Sequence, residues 1–398
     1  NTQSVSVFAK SSPFLWKVIL DASMKAPVHA FSYKVDRFGF DMRASGRDYL
    51  VNHGAEWHDS KGKPLAVAKD GYHLYKDKVI FRRLINHVPV LDMPTVSYNG
   101  STAVYTRAFE WNKDVADQKF ALPLEAQKFN NPKVTISKGK DAVTAVISDG
   151  ARQLTHRITC SEKGKVSLSN EGGRIWVSIH SLKKGASVEM SSGITKVGEK
   201  QPTFVSGNPI KLSSMLKGGD RFYTKDVTVK GILDADPAAK GSAYTFDEIP
   251  VPSENPYGMP MTTCGIAFGE DGAAYIPTLV GDVWKVTGLD ASLENVKWQR
   301  YATGLNSPLG IEMVDGVLHV LTQHQILKLY DFNNDGEADL VRPLTKRGFP
   351  GGRLHNLERD AKGNFYSSHV NGIHRISPDG SEINVVSGGS RNPLGLAV

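Results

Sequence analysis

Beyond about residue 260 the sequence returns to itself. "GIAFGEDGAAYIPTLVGDVWKV" starts at Gly265, "GIEMVDGVLHVLTQHQILKLYD" at Gly310 and "NLERDAKGNFYSSHVNGIHRIS" at Asn356; "GLAV" starts at Gly395. The starts are 45, 46 and 39 residues apart. Each unit reads as strand, Gly-containing turn, strand, short loop, strand. Propeller blades have this pattern, about four strands in 40 to 50 residues, and a short β-solenoid is the alternative. Propellers close with about 4 to 8 blades, and this chain supplies three and the first strand of a fourth. Further blades after Val398, or a partner chain, are therefore expected to complete the ring.

The N-terminal part is β-rich in a different way. "HLYKDKVIFRRLI", "TAVYTRAFEW", "KVTISKGKDAVTAVIS", "QLTHRITC" and "KVSLSNEGGRIWVSIH" are short runs rich in Val, Ile, Thr and aromatics, punctuated by Gly, Asn or Asp. Antiparallel strands in a sandwich fit them best. Between the two parts, "DADPAAKGSAY" is small and polar, and "IPVPSENPYGMP" places Pro250, Pro252, Pro256 and Pro260 in one stretch. Proline at that density blocks both helix and central strand. The expected organisation is all-β: a β-sandwich-like domain over 1–234, a Pro-rich linker over 235–260 and a partial β-propeller over 261–398.

Composition narrows the function classes. The net charge is +7, but the lysines sit in turn-like patches, "SKGKP", "SKGKD" and "SEKGK". Without a basic helix or an aromatic-interleaved stripe they read as a solvated surface, not a nucleic-acid interface. No apolar run reaches the roughly 20 residues of a membrane helix. Cys160 and Cys264 fall in different domains and are either two thiols or one bridge. No CxxCH occurs, so the chain has no covalent haem c site of its own.

"DFNNDGEADL", residues 331–340, puts four acidic residues and two asparagines into ten positions. Asp331, Asn333, Asp335 and Asp339 alternate around Gly336, which permits a sharp bend, and Glu337 can offer its backbone carbonyl. Hard oxygen ligands in this number suit Ca²⁺ better than Zn²⁺ or Mg²⁺. An EF-hand would need Glu where Arg342 stands, and the flanks read as strands. The spacing resembles the calcium hairpin loops of integrin-type propellers. A metal-free acidic turn is the other reading.

"FDEIPVPSENPYGMPMTTCGIAFGEDGAAYIPTLVGDVWKVTGLD", "VKWQRYATGLNSPLGIEMVDGVLHVLTQHQILKLYDFNNDGEADL" and "NLERDAKGNFYSS" resemble the large bacterial propeller proteins termed PVC-type membrane-bound dehydrogenase-like or haem-binding proteins. "DGYHLYKDKVIFRRLINHVPVLDMPTVSYNGSTAVYTRAFEW" is similar to the β domain that often precedes that propeller. The resemblance implies an exported protein, periplasmic or extracellular. It also implies a redox role with a cytochrome c domain whose haem c lies outside this chain. "SRNPLGLAV" further resembles a stretch of soluble quinoprotein sugar dehydrogenases. By that match Arg391 would lie against pyrroloquinoline quinone (PQQ). The catalytic histidine of those enzymes falls at Phe349 here, and His355 stands six residues later. His355 as general base and Arg391 as cofactor-binding cation are the resulting catalytic candidates, with a sugar or alcohol as substrate. The alternative is a non-catalytic scaffold that presents loops to a glycan or protein.

Other residues carry blander expectations. His324, His369 and His374 read as structural hydrogen-bonders, and Trp284 and Trp298 as blade-core aromatics. Trp57, Trp111 and Trp176 could line a carbohydrate site, but core packing is the better reading.

Overall fold

A computed structural model describes residues 18–20, 30–36, 39–45, 47–51, 55–99, 102–122, 124–125, 129–199, 203–204, 207–234, 244–323, 325–345, 349, 354–369, 372–388 and 395–398. These are almost entirely strand, turn and loop; the single helical element among them is a 3-10 turn at Leu212–Met215. The all-β expectation holds. None of the described helices is long and apolar enough to cross a membrane. Two compact units emerge among the described residues, one drawn mainly from residues up to Leu216 and the other mainly from Lys217 onward, to which Leu74–Asp77 also belongs.

The first unit is a sandwich. Its longer sheet runs Lys133–Lys138, Val143–Ser148, Arg152–Cys160, Ser187–Lys196, Thr102–Trp111, Val88–Asn99, Lys78–Ile85 and Val67–Tyr75. The shorter sheet runs Val166–Glu171, Arg174–Ile179, Gln118–Ala121 and Trp57–Asp59. Hairpin chemistry sets the registers. Asn86-His87 and Gly172-Gly173 take positive φ at both central positions, the twist that matches flanking strands. Alternating residues from both sheets then meet in one core that includes Trp57, Phe109, Trp111, Phe120, Ile158 and Val177. Trp57 and Trp111 are thus core residues. Trp176 sits out of phase, half-buried, edge-on to His58 and under the Arg174 guanidinium.

In the second unit the repeats become three antiparallel meanders. The first comprises Ala267–Phe268, Ala274–Pro277, Val283–Thr287 and Val296–Ala302. The second comprises Gly310–Val314, Val317–Leu321, Ile326–Tyr330 and Leu340–Pro343, turning through Asp315-Gly316 with positive φ at both. The third comprises Leu354–Arg359, Phe365–His369, Gly372–Ile376 and Ile383–Ser387. Trp284 and Trp298 are buried in the first of these blade-like sheets. Residues 395–398 form no strand.

The described residues of 217–234 and 244–260 depart from the expected division. Val227–Val229 pairs with Val296–Trp298 as an outer fifth strand of the first blade. Ile249, Tyr257 and Met261 pack on the Trp284–Trp298 cluster. Apart from a single Ile232–Glu248 bridge, prolines keep residues 249–260 out of a ladder but leave their side chains free to cover apolar surface, so these residues form a packed strap. The cysteines are both free thiols.

The leading strands of neighbouring blades approach closely. A Cβ on Gly310 would stand 2.6 Å from the carbonyl carbon of Asn356 and 2.7 Å from the Leu357 nitrogen. Backbone cannot yield as a flexible side chain does. Gly310→Ala is therefore expected to lower stability by about 1–3 kcal/mol through overpacking. An unchanged melting temperature would show that the strands separate freely.

Candidate functional site

The 331–339 turn joins the third and fourth strands of the second blade. Asn334 and Gly336 take φ of 58° and 84°. A Cβ on Gly336 would meet Gln299 Nε2 at 2.1 Å, and that amide donates to the Asp335 carbonyl at 2.9 Å. Gly218 (φ 82°) lies as closely against the Asp339 carboxylate, 2.0 Å from where its Cβ would be. Both glycines exist because polar side chains occupy the space a larger residue would need.

The acidic side chains mostly cap backbone. Asp331 Oδ2 accepts from the Gly336 N–H at 2.8 Å, Asp335 Oδ1 from Glu337 at 2.9 Å, and Asp339 Oδ2 from Phe332 at 2.6 Å. Asn333 Nδ2 donates to the Gly219 carbonyl and to Asp335 Oδ2. Glu337 reaches away from the turn, where its Oε2 accepts from the Phe222 and Tyr223 N–H groups at 2.9 and 3.0 Å. Its side chain therefore holds the 222–223 segment, a role beyond the carbonyl expected of it.

The turn concentrates negative charge in a partly dry place. Burial raises the Asp331, Glu337 and Asp339 carboxyls, and the charge of Asp335 raises each further. Asp339, facing Asp331 as well, is pushed up to about 6. The nearby cation Arg221 is engaged by Asp226. Asp331 Oδ1 is buried and makes no hydrogen bond. Against these features, no three carboxylate, imidazole or thiol groups among the described residues gather into a ready metal cage. The donor set suits an oxygen-seeking cation in charge and atom type, but the side chains do not converge on one point.

Two residues of the redox expectation fare differently. His355 lies on the leading strand of the third blade, half-buried, and its carbonyl accepts from the Ser367 and Ser368 hydroxyls. Arg391 lies outside the described residues, as does His324. Beside His355 the strand bulges, Asn356 adopts φ 57°, and its amide oxygen is buried without a partner. His369 and His374 are buried with ring centroids 5.3 Å apart.

Sequence reasoning missed two buried polar clusters. In the first blade, Arg300 lies 4.7 Å from the rings of both Tyr223 and Tyr257 and ion-pairs with Asp282 at 2.6 Å. In the sandwich, Glu56, Arg83, Asp92 and Arg107 form a network less than 5% exposed at every member. Its signal was available: in "YTRAFEW" Arg107 keeps the alternating phase of Tyr105, Phe109 and Trp111, all of which face inward.

No family model and no curated protein matches the chain. Among solved structures it is similar to a gluconolactonase of Xanthomonas campestris, with 14% identity, 74% of this chain and 86% of that one covered, and a TM-score of 0.28. It is also similar to apo AztD of Citrobacter koseri, with 14% identity, 72% and 83% coverage, and a TM-score of 0.23. For the extracellular domain of BT4673 from B. thetaiotaomicron the identity is 12%, the coverage 97% and 66%, and the TM-score 0.27. At such TM-scores these likenesses carry no argument about activity.

Proposed function

We propose that the chain is a binding or scaffold module of β-propeller type whose second blade is set by calcium at residues 331–339. The observation that carries this reading is the pooled charge of the turn, which includes a buried Asp331 Oδ1 that makes no hydrogen bond. To hold the ion through side-chain oxygens, Asp331, Asn333, Asp335 and Asp339 would have to turn inward from the partners they now engage, with Glu337 offering its carbonyl. The ion would supply the positive charge that the turn lacks. The chain's own residues do the rest. Glu337 and Asn333 tie the 219–223 segment to the turn, so setting the turn also sets the Arg221–Asp226 pair and the strap beyond it.

Calcium that binds only the folded state stabilises it by about 2.7 kcal/mol at a hundredfold excess over Kd. The melting temperature is therefore expected to rise in saturating calcium and fall in excess chelator. Asp335→Ala should lose that response and differ little from the wild type in chelator. Identical melting in calcium and chelator, with no heat of calcium binding, would overturn the proposal.

A second reading, a dehydrogenase-like redox component working outside the cytoplasm with a haem c domain, is favoured by one observation. The left-handed Asn356, with its unpaired amide oxygen beside His355, is the kind of backbone strain that gathers at functional sites. On this reading His355 takes the proton of a sugar or alcohol hydroxyl, and bound PQQ would supply the two-electron acceptor, with Arg391 beside it. Dye reduction by the full-length protein reconstituted with PQQ and calcium is the test. Failure to bind PQQ, or turnover unchanged in His355→Ala, would leave the scaffold.

A further inference from the structure

Two lysine patches that are far apart in sequence meet in the sandwich. The turn "SKGKD", residues 137–141, and the turn "SEKGK", residues 161–165, border one cleft of about 300 Å³, with Gly207 and Asn208 on its rim. That volume is at the low end of small-molecule sites. Its floor is apolar: Val143 and Val166 are buried there, with Cys160 half-buried beside them.

The lining carries three lysines against two acids. Lys138, Lys140 and Lys163 line the cleft, are exposed, and ion-pair with no described residue. Elsewhere Lys119, Lys183 and Lys285 each hold a carboxylate at 2.9 to 3.1 Å. Of the two acids in the lining, Glu162 already accepts from the Lys183 backbone N–H at 2.9 Å. Asp141 stands exposed, with its acceptor oxygens available. Ser161 Oγ accepts from the Ser187 N–H, which leaves its own O–H to donate.

We propose that this cleft binds a small hydroxylated ligand bearing an oxyanion, of the size of an acidic or phosphorylated monosaccharide. The lysines and the Ser161 hydroxyl meet the oxyanion, Asp141 accepts from sugar hydroxyls, and the Val143–Val166 floor covers the ring's apolar face. The site belongs to the first unit and does not depend on the calcium turn.

Titration calorimetry of the intact chain with glucuronate, glucose 6-phosphate and glucose tests it. Both charged sugars are expected to bind, glucose far more weakly, and the tighter charged sugar distinguishes carboxylate from phosphate. Binding should weaken with salt, because the rim charges are exposed. Reversing two of them in Lys140→Glu/Lys163→Glu should weaken it about tenfold. Both positions are exposed, so the melting temperature should hold, and Lys140→Gln/Lys163→Gln should fall between. In a Cys264→Ser chain, the charged sugar should slow maleimide labelling of Cys160. No binding of either charged sugar, equal binding of glucose, an unaffected double variant or unprotected Cys160 would each overturn the proposal.

Discussion

Replacing Asp92 with alanine is expected to destabilise the sandwich unit by about 3–5 kcal/mol, the usual cost of breaking a buried ion pair from one side. Asp92 is fully buried and accepts from Arg83 Nε and from both Nε and Nη2 of Arg107, the latter at 3.0 and 2.8 Å. Burial alone would raise its carboxyl; Arg107 and Arg83 outweigh burial and hold it below its ordinary range. Glu56 has only part of that compensation. Burial raises it, and the Arg107 contact at 2.9 Å does not fully offset the rise. Removing Asp92 would leave two guanidinium groups in the core, with Glu56 as the remaining carboxylate of the network. The Arg107 guanidinium lies over the rings of Phe109 and Phe120 at 5.0 and 5.5 Å, so it cannot swing to water without opening that packing. Urea unfolding followed by tryptophan fluorescence should show the loss as a lower midpoint. A change below about 1 kcal/mol, the scale of an exposed pair, would show that water reaches the network.

Stability should also fall steeply between pH 6.5 and 4. Burial lowers His73 and His319 to about 4, the former with help from Arg82, and lowers His156 to about 3. His374 is lowered in the same direction, by burial and then by His369. The sign follows from proton counts. Below pH 6.5 the unfolded chain protonates these imidazoles and the folded one does not, so acid favours unfolding until the folded values are reached. Each such proton contributes about 1.4 kcal/mol per pH unit. Raised carboxyls oppose this. Glu56 and Asp339 bind protons more readily when folded, so their protonation stabilises the fold as pH falls through their folded values. His156 is the cleanest probe. It is fully buried, its Nδ1 meets Ser192 Oγ at 2.8 Å, and its Nε2 has no partner. Urea midpoints measured from pH 7.5 to 4.5 should give His156→Leu a pH slope smaller by about one proton. An unchanged slope would mean that His156 is protonated in the folded chain.

What was legible in the sequence is what repeats locally. The spacing of Gly265, Gly310 and Asn356 gave the three meanders, because a blade is a run of adjacent hairpins whose turns are encoded by residues such as Asp315-Gly316. Alternation in the first part gave a sandwich for the same reason, since period-2 burial is a property of one strand. The acidic spacing around Gly336 gave a turn. Tertiary structure decided where each polar group ended up. Glu337 left the turn to cap Phe222 and Tyr223, which lie 115 and 114 residues away in sequence. The Pro-rich stretch became a strap because Trp284 and Trp298 offered apolar surface to cover, and proline forbids a ladder but not a contact. Arg83, Asp92, Arg107 and Glu56 became one network because four separate segments bring them together in the dry interior. The lysine turns at 137–141 and 161–165 read singly as solvated surface and share a cleft once folded. Charge acts through space, and the distances that decide its effect exist only after distant strands have met.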